Sequence, residues 1–241
     1  MNQIQKILQG FINIFLLSLL AWPAFGQNVS FSNINTANGL SNNFISFLAV
    51  DKKGFLWIGT NEGLNSYDGY SITNYSREEY PQIPSKTIVQ LLCDSKDNIW
   101  MGSASGVTWI DEKRKFHRLI LDDTLKTFNC PAIFETAIHG VVLYNGAGHF
   151  YFNKTKKKWE KLEWIPEQLD ARYFGDISPF SSNQILYATE SGITIIDFEK
   201  KKNVFEFPLQ RAASVCKLND SIVAATAEIT SCIISISVQM K

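Results

Sequence analysis

Histidine is scarce in this 241-residue chain: His117, His139 and His149 are all it has, and no two stand at a helical or hairpin spacing that would hold a metal ion. A nucleophile elbow, a phosphate-cradling loop and an HExxH pair are also lacking. These absences give catalysis little support, and the sequence predicts no catalytic residue, no metal and no cofactor. An active site assembled across repeated units would leave no linear motif, so a hydrolase or lyase remains a third reading. Net charge is missing too, since 23 Lys and Arg balance 23 Asp and Glu. That balance gives no support to nucleic acid or a membrane surface as a partner. After the first 26 residues no apolar run is long enough to cross a bilayer.

What is present begins with a leader. Lys6 supplies one positive charge, Ile7 to Trp22 is apolar, and Pro23 breaks the run. Ala24-Phe25-Gly26 sets small residues at the −3 and −1 positions before Gln27. Residues 1–26 therefore read as a secretory signal peptide, with a retained transmembrane anchor as the alternative, and residues 27–241 as one exported domain. Four cysteines (Cys93, Cys130, Cys216, Cys232) fit no metal spacing. Cys93 and Cys216 fall at apolar strand positions, which predicts buried free thiols; one disulfide involving Cys130 is the alternative.

The body of the chain repeats. Gly39 to Tyr75 holds alternating apolar runs separated by Asp51-Lys52-Lys53-Gly54, Thr60-Asn61-Glu62-Gly63 and Asp68-Gly69, the pattern of a four-stranded antiparallel meander. Asp51, Trp57, Gly59, Gly63 and Asp68 recur 43 residues later as Asp94, Trp100, Gly102, Gly106 and Asp111. Weaker copies follow at Gly148, Tyr151 and Asn153 and at Gly192, Ile195 and Asp197, and a fifth spans Val215 to Val238. A period of roughly 40–45 residues with four strands per unit predicts an all-β fold, a β-propeller with about five blades present. Gly63, Gly106, Gly148 and Gly192 are expected to need a positive φ at the turn between second and third strands. Trp57 and Trp100 are expected to fill the wedge between blades. Asp51, Asp94 and Asp111 are read as turn residues that bond to local backbone.

Residues 28–38 are expected to form an outer strand that completes the fifth blade and closes the ring. The turns between second and third strands should share one face around the central channel. Asn61, Glu62, Ser103, Ser105, Asn145 and Glu190, with Thr189 beside them, are the candidate ligand contacts there, being polar, small and mostly uncharged. Lysine-rich turns at residues 112–115, 154–158 and 199–202 should lie at the opposite end, a cationic rim or an ordinary soluble edge.

Asn-Gly-Leu-Ser-Asn-Asn at 38–43, Phe55-Leu56-Trp57-Ile58-Gly59-Thr60 and Gly63-Leu64-Asn65-Ser66-Tyr67-Asp68-Gly69 resemble the two-component regulator propeller repeat, as does Asn98-Ile99-Trp100-Met101-Gly102-Ser103. The resemblance implies the periplasmic sensor region of a hybrid two-component histidine kinase, responsive to oligo- or polysaccharide. It further implies an incomplete seven-bladed ring, truncated before the membrane helix and kinase. The partners implied are a glycan ligand and the remaining sensor and kinase domains or a homodimer mate. A stand-alone secreted propeller acting as a protein–protein scaffold is the alternative.

Overall fold

The computed structural model describes residues 3, 32–103, 105–119, 132–145, 148–153, 155–156, 158–165, 176–209, 211–219, 222–227 and 233–237. The chain divides into residues 1–33 and 34–241, and the account below concerns the second unit. The leader, Cys130 and Cys232 lie outside the described residues, as do most of the loops at 120–131 and 165–174.

Among the described residues nineteen strands form five separate antiparallel sheets. Blade 1 is β1 (Ile45–Val50), β2 (Leu56–Thr60), β3 (Gly63–Tyr67) and β4 (Ile72–Tyr75). Blade 2 is β5 (Ile88–Cys93), β6 (Ile99–Ser103), β7 (Gly106–Ile110) and β8 (Phe116–Leu119). Blade 3 is β9 (Ala132–Thr136), β10 (Gly140–Tyr144), β11 (His149–Asn153) and β12 (Lys158–Lys161). Blade 4 is β13 (Asp176–Pro179), β14 (Gln184–Thr189), β15 (Gly192–Asp197) and β16 (Lys202–Pro208). Blade 5 contributes β17 (Ala212–Asn219), β18 (Ile222–Ala227) and β19 (Ile233–Ser237). Every sheet is a meander in chain order, and β1, β5, β9, β13 and β17 pack side by side as the inner strands of a propeller.

Alternation explains why the blades stack. In β6, Ile99 and Met101 join Trp57 and Leu64 in the core between blades 1 and 2, while Trp100 turns the other way, toward Ile133 and Leu143 of blade 3. In β14, Ile185 and Tyr187 meet Phe134 and Val142 of blade 3, while Leu186 and Ala188 meet Val215 and Val223 of blade 5. Inner blades thus bury both faces, and each fully buried Ile or Leu stabilises the stack by roughly 1.5–3 kcal/mol. The outward face of β1 is different: Leu48 and Val50 are 51% and 61% exposed, and Phe44, just before the strand, is 62% exposed.

Gly63, Gly106, Gly148 and Gly192 all have positive φ, at 129°, 142°, 138° and 147°. Two expectations need correcting. Residues 32–38 are not a strand: Asn35 caps a short 3-10 turn (Thr36–Asn38), its Oδ1 accepting from Ala37 N at 2.8 Å. Residues 28–31 lie outside the described part. Cys93 and Cys216 are free thiols, but Cys93 is half-buried and Cys216 exposed, because Val215 takes the position facing blade 4 and its neighbour must face away.

His149 opens β11 inside the core, its Nε2 3.3 Å from the Tyr187 hydroxyl. Burial, helped by Lys161, pushes its imidazole down to about 3, and burial also holds His139 low. Unfolded histidines take up protons near pH 6.5. Stability present above that value is therefore lost as pH falls from about 6.5 toward 3. The urea midpoint is expected to drop between pH 7 and about 4.5, before most carboxylates titrate; a constant midpoint over that interval contradicts the burial of His149.

Candidate functional site

At the turns between second and third strands of blades 1, 2 and 4, a hydroxyl ends the second strand and closes the turn on itself. Thr60 donates to Gly63 O at 2.9 Å and accepts from Glu62 N at 3.1 Å. Ser103 donates to Gly106 O at 2.9 Å and accepts from Ser105 N at 3.2 Å. Thr189 donates to Gly192 O at 3.0 Å. Of the candidate ligand contacts, Ser103 is thus fully buried with its hydroxyl committed to its own turn, a role that spacing alone did not disclose.

The others stand closer to solvent. Glu62, Ser105 and Glu190 are exposed, and Asn61 and Asn145 half-buried. Glu62 pairs with Lys86 at 3.6 Å, and Lys86 also reaches Glu78 at 3.7 Å; exposed pairs of this kind contribute little. The Asn145 backbone N–H donates to Gly148 O at 3.3 Å, and Glu190 O accepts from Arg211 N at 2.9 Å, tying blade 4 to blade 5. Each residue sits in the turn between the second and third strands of its blade, so together they mark one polar end of the propeller.

The opposite end carries the lysine-rich turns, and several of these charges are locally engaged. Lys53 donates to Glu112 O at 3.3 Å, and Lys200 lies 3.6 Å from Asp197. Lys156 pairs with Glu160 at 2.8 Å, and its hydrogen bond, with those of Asn153 and Tyr151, holds the Glu160 carboxyl at about 2. Asp111 accepts from Lys113 N and Lys115 N at 2.9 Å, and its other oxygen lies 2.9 Å from His117 Nε2.

Asp51 and Asp94 do more than shape turns. Asp51 Oδ1 accepts from Lys53 N and Phe55 N, both at 2.9 Å. Its Oδ2 takes the Trp57 indole N–H at 2.9 Å and the Arg114 guanidinium of blade 2 at 2.6 Å. Burial alone raises this carboxyl, but the hydrogen bonds from Trp57, Arg114 and Phe55 N and the Arg114 charge outweigh it and hold it below the usual carboxylate range. Arg114 also lies over the rings of Trp57, at 5.0 Å, and Phe55, at 5.3 Å. Asp94 repeats the local part, taking Trp100 Nε1 at 2.9 Å. Between blades 2 and 3, Glu135 accepts from Ser95 N at 2.7 Å and Ser95 Oγ at 2.6 Å. The recurring Asp-x5-Trp spacing was visible in the sequence; the cation that completes it in blade 1 was not.

Among the described residues no three His, Cys, Asp or Glu side chains are grouped to hold a metal ion, and no helix is long and apolar enough to cross a membrane. The molecule is a β-propeller, and residues 39–62 in its first blade match the family model described as two component regulator propeller. Sixty-eight residues are 35% identical to histidine kinase P4 of Formosa agariphila, over 27% of this chain and 5% of that protein. The extracellular domain of a hybrid two component system from B. thetaiotaomicron superposes with a TM-score of 0.64 at 19% identity, over 86% of this chain and 32% of that one. Virginiamycin B lyase from Staphylococcus aureus superposes at 0.55 and 17% identity, over 81% of this chain and 70% of its own. At these identities both structures share the fold alone. The chain spans a small part of the histidine kinase and about a third of the extracellular domain.

Proposed function

We propose that this chain is the ligand-sensing propeller module of an exported two-component sensor, responding to oligo- or polysaccharide and working with sensor and kinase domains beyond its own residues. The observation that carries the reading is the match of residues 39–62 to the two-component regulator propeller model, a stretch that contains β1 and β2 of blade 1 of a propeller. Asn61, Glu62, Ser105, Asn145 and Glu190 line the polar end at which ligand would be recognised, and binding would pass by contact to a neighbouring domain. Residues 1–26 act as the export signal and place the domain in the periplasm. The expected result is a periplasmic product beginning at Gln27 that binds at least one member of a glycan array. A cytoplasmic, unprocessed and glycan-blind protein overturns this reading. The exposed Leu48 and Val50 on β1, with Phe44 just before it, favour a second reading, a scaffold that docks protein on that face.

A further inference from the structure

The wedges between successive blades are not filled alike. Between blades 1 and 2 a guanidinium occupies the space: Arg114 crosses to Asp51 and covers Trp57 and Phe55. Between blades 2 and 3 the indole and carboxylate recur, with Trp100 Nε1 donating to Asp94 at 2.9 Å, but the residue in the place of Arg114 turns away. Lys156, three residues after Asn153 as Arg114 is three after Asp111, pairs instead with Glu160 at 2.8 Å. The blade 3 turn is also one residue longer: Asn153 pairs with Lys158, five residues on, whereas Asp111 N bonds to Lys115 O, four residues on. Asn98 stands where blade 1 has Phe55, and its amide donates to Asp94 Oδ2 at 2.8 Å, the bond that Arg114 gives Asp51. Asp94 is thus satisfied within its own blade. What remains is a cleft of about 600 Å³ that runs along this wedge and round the turn between β9 and β10.

Two rows of side chains face each other across the wedge. Strand register sets Trp100 beside Trp109 on blade 2, and Glu135 beside Val141 and Phe152 beside Trp159 on blade 3. Trp100 and Trp109 stack at 5.4 Å and pack with Val141 and Trp159, while Phe152 stays 40% exposed. The carboxylate among these rings is the half-buried Glu135. Each of its oxygens takes one hydrogen bond, from Ser95 N and from Ser95 Oγ, which leaves acceptor capacity on both. Asp94 adds a second negative charge, and the two carboxylates outnumber Lys96 among the described lining residues. A carboxylate with spare acceptor sites beside aromatic rings favours a cation. A planar guanidinium suits both surfaces, forking onto the carboxylate and lying flat on the rings. The volume lies within the roughly 300–1,000 Å³ of small-molecule pockets.

We propose that the cleft between blades 2 and 3 binds a small guanidinium-bearing ligand, its charge on Glu135 and its plane against Trp109 and Phe152, in the role that Arg114 plays one wedge earlier. The site is separate from the polar turns and does not depend on glycan sensing. The test is a tryptophan-fluorescence titration of the full chain, at constant ionic strength, with Nα-acetylargininamide, its neutral isostere Nα-acetylcitrullinamide, and choline. Wild type is compared with Glu135→Gln, Phe152→Ala and Tyr70→Ala, each first shown folded by thermal melting. Glu135→Gln keeps the side-chain shape but removes the charge, and Phe152→Ala removes a wall that is already partly exposed. Tyr70 is an exposed aromatic on the outer turn of blade 1, outside the cleft, and controls for unspecific stacking. The expected result is saturable binding of acetylargininamide, at least about tenfold tighter than its citrulline isostere. Glu135→Gln should weaken it about tenfold and Phe152→Ala about fivefold, with Tyr70→Ala unchanged. Equal binding of the citrulline isostere overturns the cationic assignment, and tighter binding of choline overturns the guanidinium. Affinity unaltered in both cleft variants overturns the site, and the absence of saturable binding by any probe overturns the proposal as a whole.

Discussion

Asp51→Ala is expected to destabilise the propeller by about 3–5 kcal/mol, the range for removing one partner of a buried ion pair. The carboxylate has no exposed side-chain surface, and its four donors come from two backbone amides, one indole and one guanidinium. Alanine leaves the Trp57 N–H facing apolar surroundings and the Arg114 charge, only 30% exposed, with no counter-ion. At roughly 2–4 °C per kcal/mol for a chain of this size, the melting temperature should fall by about 6–20 °C. Asp94→Ala is the internal control. It removes the indole acceptor and the bonds from Lys96 N, Asn98 N and Asn98 Nδ2, but strands no cation, so its cost should be smaller, at about 2–3 kcal/mol. The double variant Asp51→Ala/Arg114→Met should be less damaged than the sum of its parts, because the stranded charge is gone. Equal losses for Asp51→Ala and Asp94→Ala would show that the cation adds nothing. The acid dependence has a definite sign: the folded-state carboxyl is depressed, so its contribution is present above about pH 4, the unfolded value. That contribution is lost as pH falls through the lower folded value.

Much of this architecture was legible because it is written in spacing. The 43-residue interval from Asp51, Trp57 and Gly63 to Asp94, Trp100 and Gly106 sets both the blade count and the turn register, and the structure returns the same register. What spacing cannot carry is which group crosses a wedge. Alternation places Trp57 and Trp100 on equivalent faces, yet one meets Arg114 and the other a cleft. That difference depends on Asn98 replacing Phe55 and on one extra residue in a distant turn. The same limit applies to the candidate contacts. Ser103 and Ser105 look alike as polar turn residues, but the hydroxyl that ends the strand folds back on Gly106 O while its neighbour stays exposed. Residues 32–38 misled for a local reason: the Asn35 side chain offers the backbone a capped turn, which outcompetes an isolated strand.

Gly192→Ala is expected to be the most damaging single methyl that can be added to the chain's positive-φ glycines. Its φ of 147° is a conformation open in practice to glycine alone, costing roughly 1–3 kcal/mol for any other residue. A Cβ built there would stand 2.1 Å from Phe207 O and 2.9 Å from Leu209 N. Both are backbone atoms on or just after β16, and β16 is paired to β15 along its length, so neither can swing aside without opening the blade. Strain and clash together should exceed about 4 kcal/mol, a size reached only by disrupting backbone or core. At Gly148 the atom in the way is Lys161 Cε at 2.4 Å, the far end of a flexible side chain, so Gly148→Ala should cost mainly its strain. At Gly69 nothing lies within 4 Å and φ is 99°, and strain alone applies. Thermal melts of the three alanine variants should therefore rank Gly192 far below the other two. A Gly192→Ala protein that melts within about 3 °C of Gly69→Ala would mean that the β15–β16 pairing gives way easily, and that blade 4 is held by its neighbours rather than by its own turn.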